Sequence, residues 1–163
     1  MSARSSEPRR PQRGFTLVEL IAVLLLLGLL SAMLLPRLGG AFSLRDAAWR
    51  DQVLAALQHA RTLAAGHRRL VCASVATGEV RLAIAAANPA SSCGSVLNGA
   101  DGDARWAHDG NATAIVQSPA GTLYFQPDGR ITSDGAGATP VDVSIAITGQ
   151  PAIQLRGATG HVQ

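Results

Sequence analysis

One carboxylate, Glu19, interrupts an apolar run of 21 residues that extends from Phe15 to Leu35. As a helix, this run would be roughly 30 Å long, about the thickness of the hydrocarbon core of a bilayer. An ionised side chain at the centre of a membrane costs about 2.5–3.5 kcal/mol on insertion scales, and less near a helix end. A carboxylate in such a run is therefore expected to have a function. The chemistry open to it is pairing with a cation, and no residue of the chain is an obvious partner.

Basic residues precede the apolar run and account for the net charge. The chain has 14 arginines, no lysine and 11 acidic residues, a formal charge of +3. Residues 1–13 carry all of it, with Arg4, Arg9, Arg10 and Arg13 against Glu7. The positive-inside rule then predicts a cytoplasmic N-terminus and a body on the far side of the inner membrane. Because that body is neutral, we do not expect nucleic acid as a partner.

A secretory signal peptide is the alternative interpretation of a basic start followed by an apolar run. Its cleavage site would be the small residues Ser31-Ala32. The position of Glu19 argues against removal of the whole run, because an apolar segment that is discarded has no need of an internal carboxylate.

The residues around Glu19 form a specific motif, Gly14-Phe15-Thr16-Leu17-Val18-Glu19-Leu20. It resembles the processing motif of type IV pilins and type II secretion pseudopilins. The resemblance implies cleavage between Gly14 and Phe15 by a prepilin peptidase, N-methylation of Phe15, and retention of the helix. It also implies that Glu19, then the fifth residue, pairs with the α-amine of a neighbouring subunit during assembly.

Other residue types that could do chemistry lack the spacing for it. The four histidines, His59, His67, His108 and His161, form no His-x-x-x-His pair and are expected in solvent or loops. Asp101-Gly102-Asp103 lacks the spacing of a calcium loop and is expected to be a polar turn. Since no nucleophile motif or phosphate-binding loop occurs either, we expect no enzyme activity, metal or cofactor.

The two cysteines, Cys72 and Cys93, are the only thiols of the chain. Outside the inner membrane the compartment permits a disulfide, and we expect one between them. Two separate thiols are the alternative, because the sequence gives neither distance nor direction.

The elements that position these residues are a long helix followed by strands. Pro36 is expected to kink or break the helix, and Asp46 is expected to pair with Arg50. From 36 to 66 the spacing predicts an amphipathic half that ends near Gly66, with one apolar face: Trp49, Val53, Leu57, Ala60 and Ala64. Strands are predicted at 70–74, 79–84, 113–117, 122–126, 130–132, 141–147 and 152–156, with a short segment at 161–163 and a loop at 88–104.

This order of elements predicts an α+β fold in which a kinked N-terminal helix packs on an antiparallel β-sheet. Four regions follow: a leader at 1–14, a transmembrane and assembly helix at 15–35, the amphipathic periplasmic helix at 36–66, and a periplasmic β-rich domain at 67–163.

The second half resembles the H-type minor pseudopilin and the related FimT-like minor pilins. The features are Cys72, Cys93, Trp106 and the late turn Tyr124-Phe125-Gln126-Pro127-Asp128-Gly129-Arg130. The resemblance implies a pilin-like fold and a minor pseudopilin of the type II secretion system, which helps export folded proteins. It implies three partners: other pseudopilins, the prepilin peptidase and the inner membrane.

The alternative function is that of a FimT-like minor pilin in DNA uptake or pilus assembly. Relatives often end in Gly-Arg plus a basic residue, whereas this chain ends in Gly160-His161-Val162-Gln163. Because that basic pair is missing, secretion is the function we expect.

Overall fold

The structure is a computed structural model that describes residues 16–163, with the side chains of 32–43 excepted. The helix α1 runs from Leu17 to His67. The chain divides into two compact units between Ala41 and Phe42, so α1 contributes to both. Of the predicted regions, the leader at 1–14, Phe15, and the side chains of 32–35 in the 15–35 helix lie outside the described residues.

The backbone stays helical through Pro36 and Gly39-Gly40, so the predicted local break is not found. A proline inside a helix removes one backbone hydrogen bond, and the turns on either side can hold the helix together. No helix in the described part of the chain is both long and apolar enough to cross a membrane.

Ten strands follow the helix and form two antiparallel sheets. They are β1 Val71–Ala76, β2 Glu79–Ile84, β3 Ser95–Leu97, β4 Ala107–His108, β5 Ile115–Ser118, β6 Leu123–Phe125, β7 Ile131–Thr132, β8 Val143–Ile147, β9 Ile153–Arg156 and β10 His161–Val162. The first sheet has the order β3-β2-β1-β6-β7, with β4 also paired to β2, and the second has the order β10-β9-β8-β5. A helix followed by antiparallel sheets confirms the α+β prediction.

The helix and both sheets share one hydrophobic core in the second unit. The predicted apolar face of α1 is fully buried in it: Trp49, Val53, Leu57, Ala60 and Ala64. Alternate residues of the strands meet this face, as the period of two requires: Val71 and Ala73 of β1, Val80 and Leu82 of β2, and Val143, Ile145 and Ile147 of β8. The packing interpretation of Trp49 agrees with its 2% exposure.

Two local predictions were wrong. The loop predicted at 88–104 contains β3, which pairs Leu82 with Leu97. Arg50 does not pair with Asp46; it lies 3.4 Å from the carboxylate of Asp51 and donates to the carbonyl of Pro151 at 2.8 Å. Pairing with β2 decided the first outcome, and a carbonyl in the turn between β8 and β9 contributed to the second.

Candidate functional site

The described part of the motif is a helix start. Thr16 caps α1, because its Oγ1 accepts the backbone N–H of Glu19 at 3.2 Å. Thr16-x-x-Glu19 is the spacing of a capping box, a signal that the sequence interpretation missed. Glu19 therefore lies in the first helical turn, where the helix dipole favours a negative charge.

The Glu19 side chain is exposed and has no hydrogen-bond or ion-pair partner among residues 16–163. Gly14 and Phe15, the predicted cleavage and methylation residues, lie outside the described residues. The structure thus places Glu19, the predicted assembly residue, at the helix start, and within the described residues it brings no cation to this carboxylate.

The helix segment from Leu17 to Leu30 exposes apolar side chains on all sides. Eleven large ones are 44–74% exposed: Leu17, Val18, Leu20, Ile21, Val23, Leu24, Leu25, Leu26, Leu27, Leu29 and Leu30. Ser31 comes directly after this segment, and its hydroxyl donates a hydrogen bond to the carbonyl of Leu27 within the helix at 2.7 Å. A helix that is apolar all round is normally covered by lipid or by other helices. The segment therefore has the chemistry of a surface that a membrane or neighbouring subunits cover.

The expected disulfide is present. Cys72 of β1 is bonded to Cys93, which lies just before β3, across a sequence separation of 21. The bridge ties the loop between β2 and β3 to the centre of the first sheet. This confirms the pairing and excludes the alternative of two separate thiols.

The late turn of the second half is held by its own residues. The backbone N–H of Gln126 donates to the carbonyl of Arg130 at 2.8 Å. Gly129 has the positive φ of 90° that the turn requires. The Asp128 carboxylate accepts the backbone N–H of Arg130 at 3.0 Å and pairs with its guanidinium at 2.7 Å. Hydrogen bonds within the turn motif thus fix its conformation.

The side chain of Gln126 connects the turn to the neighbouring loop at 133–139. Its side chain is 8% exposed and donates to Thr132 Oγ1 at 2.9 Å, while Thr132 donates to the carbonyl of Asp134 at 2.7 Å. Within the loop, the backbone amides of Ala138 and Thr139 donate to the Asp134 carboxylate at 3.0 Å and hold its pKa below the usual range.

This loop also contacts the disulfide-bonded loop. A Cβ at Gly135 would overlap the carbonyl oxygen of Ser91, so the two loops pack backbone to backbone. The bridge at Cys93 and the anchor at Gln126 therefore stabilise one continuous surface of the domain. The glycines at 133–139 are compatible with a close backbone contact, but only the fold shows that this contact is with Ser91.

The histidines and acidic turns show no ligand geometry. His59 is half-buried and stacks on Trp106 with ring centroids 4.4 Å apart, so the expectation of a solvated histidine was wrong there. His67, His108 and His161 are exposed. Asp103 pairs with Arg105 at 2.6 Å, and this hydrogen bond lowers the pKa of Asp103 well below its usual range. In the described residues, no three His, Cys, Asp or Glu side chains are grouped so that they could hold a metal ion.

Residues 9–35 match the family profile of the prokaryotic N-terminal methylation motif. The chain carries a prepilin-like leader. This leader supports a type IV pilin-like protein and implies processing by a prepilin peptidase and assembly with other pilins. It is consistent with a membrane-anchored pilin. Searches of curated proteins and of solved structures gave no match.

Proposed function

We propose that this chain is a minor pseudopilin of the type II secretion system, a non-enzymatic subunit of a periplasmic filament that drives export of folded proteins. The observation that carries the proposal is the methylation motif at 9–35, which includes a capped helix start and a helical segment whose apolar side chains are exposed. Such a helix fits a filament subunit, because lipid covers it before assembly and neighbouring helices cover it afterwards.

The periplasmic location proposed for the domain is supported by two observations. The arginines at 1–13 favour a cytoplasmic N-terminus, and the disulfide between Cys72 and Cys93 requires an oxidising compartment. On this proposal the domain lies in the periplasm and the N-terminus in the cytoplasm, with one pass through the inner membrane.

Processing is tested on membrane-extracted protein by intact mass. We expect the mass of residues 15–163, reduced by two hydrogens for the disulfide and increased by one methyl group on Phe15. A Gly14→Val variant should keep the leader, while Gly28→Val, which meets no neighbouring atom, should be processed normally. A mature start after Ala32 would show ordinary signal-peptide removal and refute the proposal.

A deletion strain distinguishes the proposed secretion function from the FimT-like alternative, a minor pilin in DNA uptake or pilus assembly. Loss of exoprotein secretion with normal uptake of DNA is the expected result, and complementation by wild type but not by Gly14→Val links it to the processed chain. The opposite phenotype would assign the chain to a type IV pilus.

A further inference from the structure

Three arginines at the C-terminal end of α1 differ from most other arginines of the domain. Arg61, Arg68 and Arg69 are exposed and pair with no carboxylate in the part of the chain that the structure describes. Arg61 donates only to a backbone carbonyl, that of Thr159 at 3.3 Å. Five other arginines each pair with a carboxylate: Arg50 with Asp51, Arg81 with Glu79, Arg105 with Asp103, Arg130 with Asp128, and Arg156 with Asp142. Among the rest, Arg45 also makes no ion pair within the described residues, but its guanidinium donates to the amide oxygen of Asn111.

Arg68 also has a backbone conformation that disfavours arginine. Its φ is +53°, in the left-handed region where helices usually place glycine. The helix end requires that conformation, because the amide of Arg69 donates to Ala64 O at 3.1 Å and that of Arg68 to Ala65 O at 3.4 Å. Backbone strain of this kind concentrates at functional positions.

An open depression lies on the C-terminal part of α1, and Arg61 is the arginine that lines it. It has a volume of about 550 Å³ and is lined by Arg61, Thr62, Ala65 and Gly66. Ala65 and Gly66 carry little or no side chain, so a polypeptide backbone can approach the helix there. Arg68 and Arg69 follow this depression closely along the chain. Guanidinium groups fit carboxylates, which they bind through two parallel hydrogen bonds.

We propose that the C-terminal end of α1 binds a carboxylate-rich segment of a partner protein through Arg61, Arg68 and Arg69. Nucleic acid fits this surface less well. A duplex presents a charge about every 1.7 Å, and proteins bind it through many phosphate contacts. The three arginines span only nine residues at one helix end, so they can make few such contacts. The proposal does not depend on the secretion function.

The test uses the full chain in non-ionic detergent and a fluorescent hexaglutamate peptide as the probe. Wild type should bind it with an affinity that falls as salt rises, and hexaglutamine should not bind. Arg68→Gln with Arg69→Gln should weaken binding about tenfold, on the scale of two exposed ion pairs. The matched control, Arg81→Gln with Arg156→Gln, removes the same charge from arginines that already have partners and should change binding less than twofold.

A single substitution separates binding from stability. Arg68→Gly should raise the melting temperature by a few degrees, because glycine suits the left-handed conformation, and should weaken peptide binding. Equal loss of affinity in the control variant, or no binding by wild type, would overturn the proposal. A 12-base-pair duplex that binds more tightly than the peptide through Arg68 and Arg69 would also overturn it, in favour of a nucleic-acid partner.

Discussion

Gly160 lies against the carbonyl oxygen of Gly129 so closely that a Cβ atom on Gly160 would overlap it. Gly129 belongs to the late turn, and Gly160 immediately precedes the last strand, β10. The amide of Ile131 adds a second link, since it donates to Gly157 O at 2.8 Å. The C-terminal hairpin thus packs directly on the turn that follows β6, which explains the glycine at 160, whereas Gly129 is explained by its positive φ.

We expect Gly160→Ala to destabilise the protein by about 3 kcal/mol, from a left-handed backbone and a clash with backbone that cannot move aside. Gly149→Ala is the matched control. It has a similar φ, +72° against +64°, but no atom within 4 Å of the added Cβ. It should cost only about 1 kcal/mol. Denaturant unfolding of the two variants measures the difference, and equal costs would show that the contact with Gly129 is unimportant.

The buried amide of Gln126 gives a second prediction. Gln126→Leu should destabilise by about 2 kcal/mol, because it removes the hydrogen bond to Thr132 from a site closed to water. Thr132→Val removes the hydroxyl that accepts this hydrogen bond. The double variant should therefore lose less unfolding free energy than the two single variants lose together. Additive losses in a double-mutant cycle would contradict the coupling of these two side chains.

Secondary structure that follows from a local residue pattern was predicted correctly, whereas strands that form through pairing with another segment were missed. The buried face of α1 was predicted correctly, because helical spacing alone selects Trp49, Val53 and Leu57. Strands β3 and β4 were missed, since they lie in or just after a segment rich in Asn, Ser, Gly and Asp, and each is a strand because it pairs with β2.

The candidate site divides in the same way. The motif from Gly14 to Glu19 could be recognised from adjacent residues, and its helix cap follows from the same spacing. The left-handed conformation of Arg68 could not, because the sequence offered Gly66 as the helix end. The bond between Cys72 and Cys93 was expected from the sequence, and the fold supplies the distance and direction that the sequence left open.

The third prediction concerns pH and Asp109. The hydrogen bond from the Thr113 side chain, with the amides of Asn111 and Thr113, lowers the pKa of Asp109 below that of a free aspartate. A lowered pKa in the folded state means that the carboxylate stabilises the protein above pH 4 and loses this effect as the pH falls further. Asp109→Asn should therefore cost about 1 kcal/mol at pH 7 and less at pH 3.

Asp46→Asn is the control for this series, because the carboxylate of Asp46 makes no hydrogen bond within the described residues. Its effect on the free energy of unfolding should be small at both pH values. A cost for Asp109→Asn that is the same at pH 3 and pH 7 would mean that the charge of Asp109 does not stabilise the turn.

The disulfide gives the fourth prediction. Closing a loop of about 20 residues stabilises a protein by roughly 3 kcal/mol by restricting the unfolded chain. Reductant should therefore lower the melting temperature of wild type by about 10 °C. The variant with both Cys72→Ala and Cys93→Ala should melt at this lower temperature with or without reductant. Alkylation of the unreduced protein should label neither cysteine, and rapid labelling of both would contradict the bridge.

The last prediction assigns Glu19 to assembly and not to cleavage. Its carboxylate lies in the first turn of α1 and has no partner among the residues that the structure describes. Cleavage after Gly14 would create an α-amine that stays cationic at neutral pH. Glu19→Val removes the charge but keeps the backbone N–H that Thr16 caps. The variant should be cleaved normally, should fail to cross-link to neighbouring pilin subunits, and should reduce secretion. Thr16→Val is the control, since it loosens the helix start and keeps the carboxylate, and it should still cross-link. Normal cross-linking of Glu19→Val would refute the pairing role, and failure of its cleavage would assign Glu19 to peptidase recognition instead.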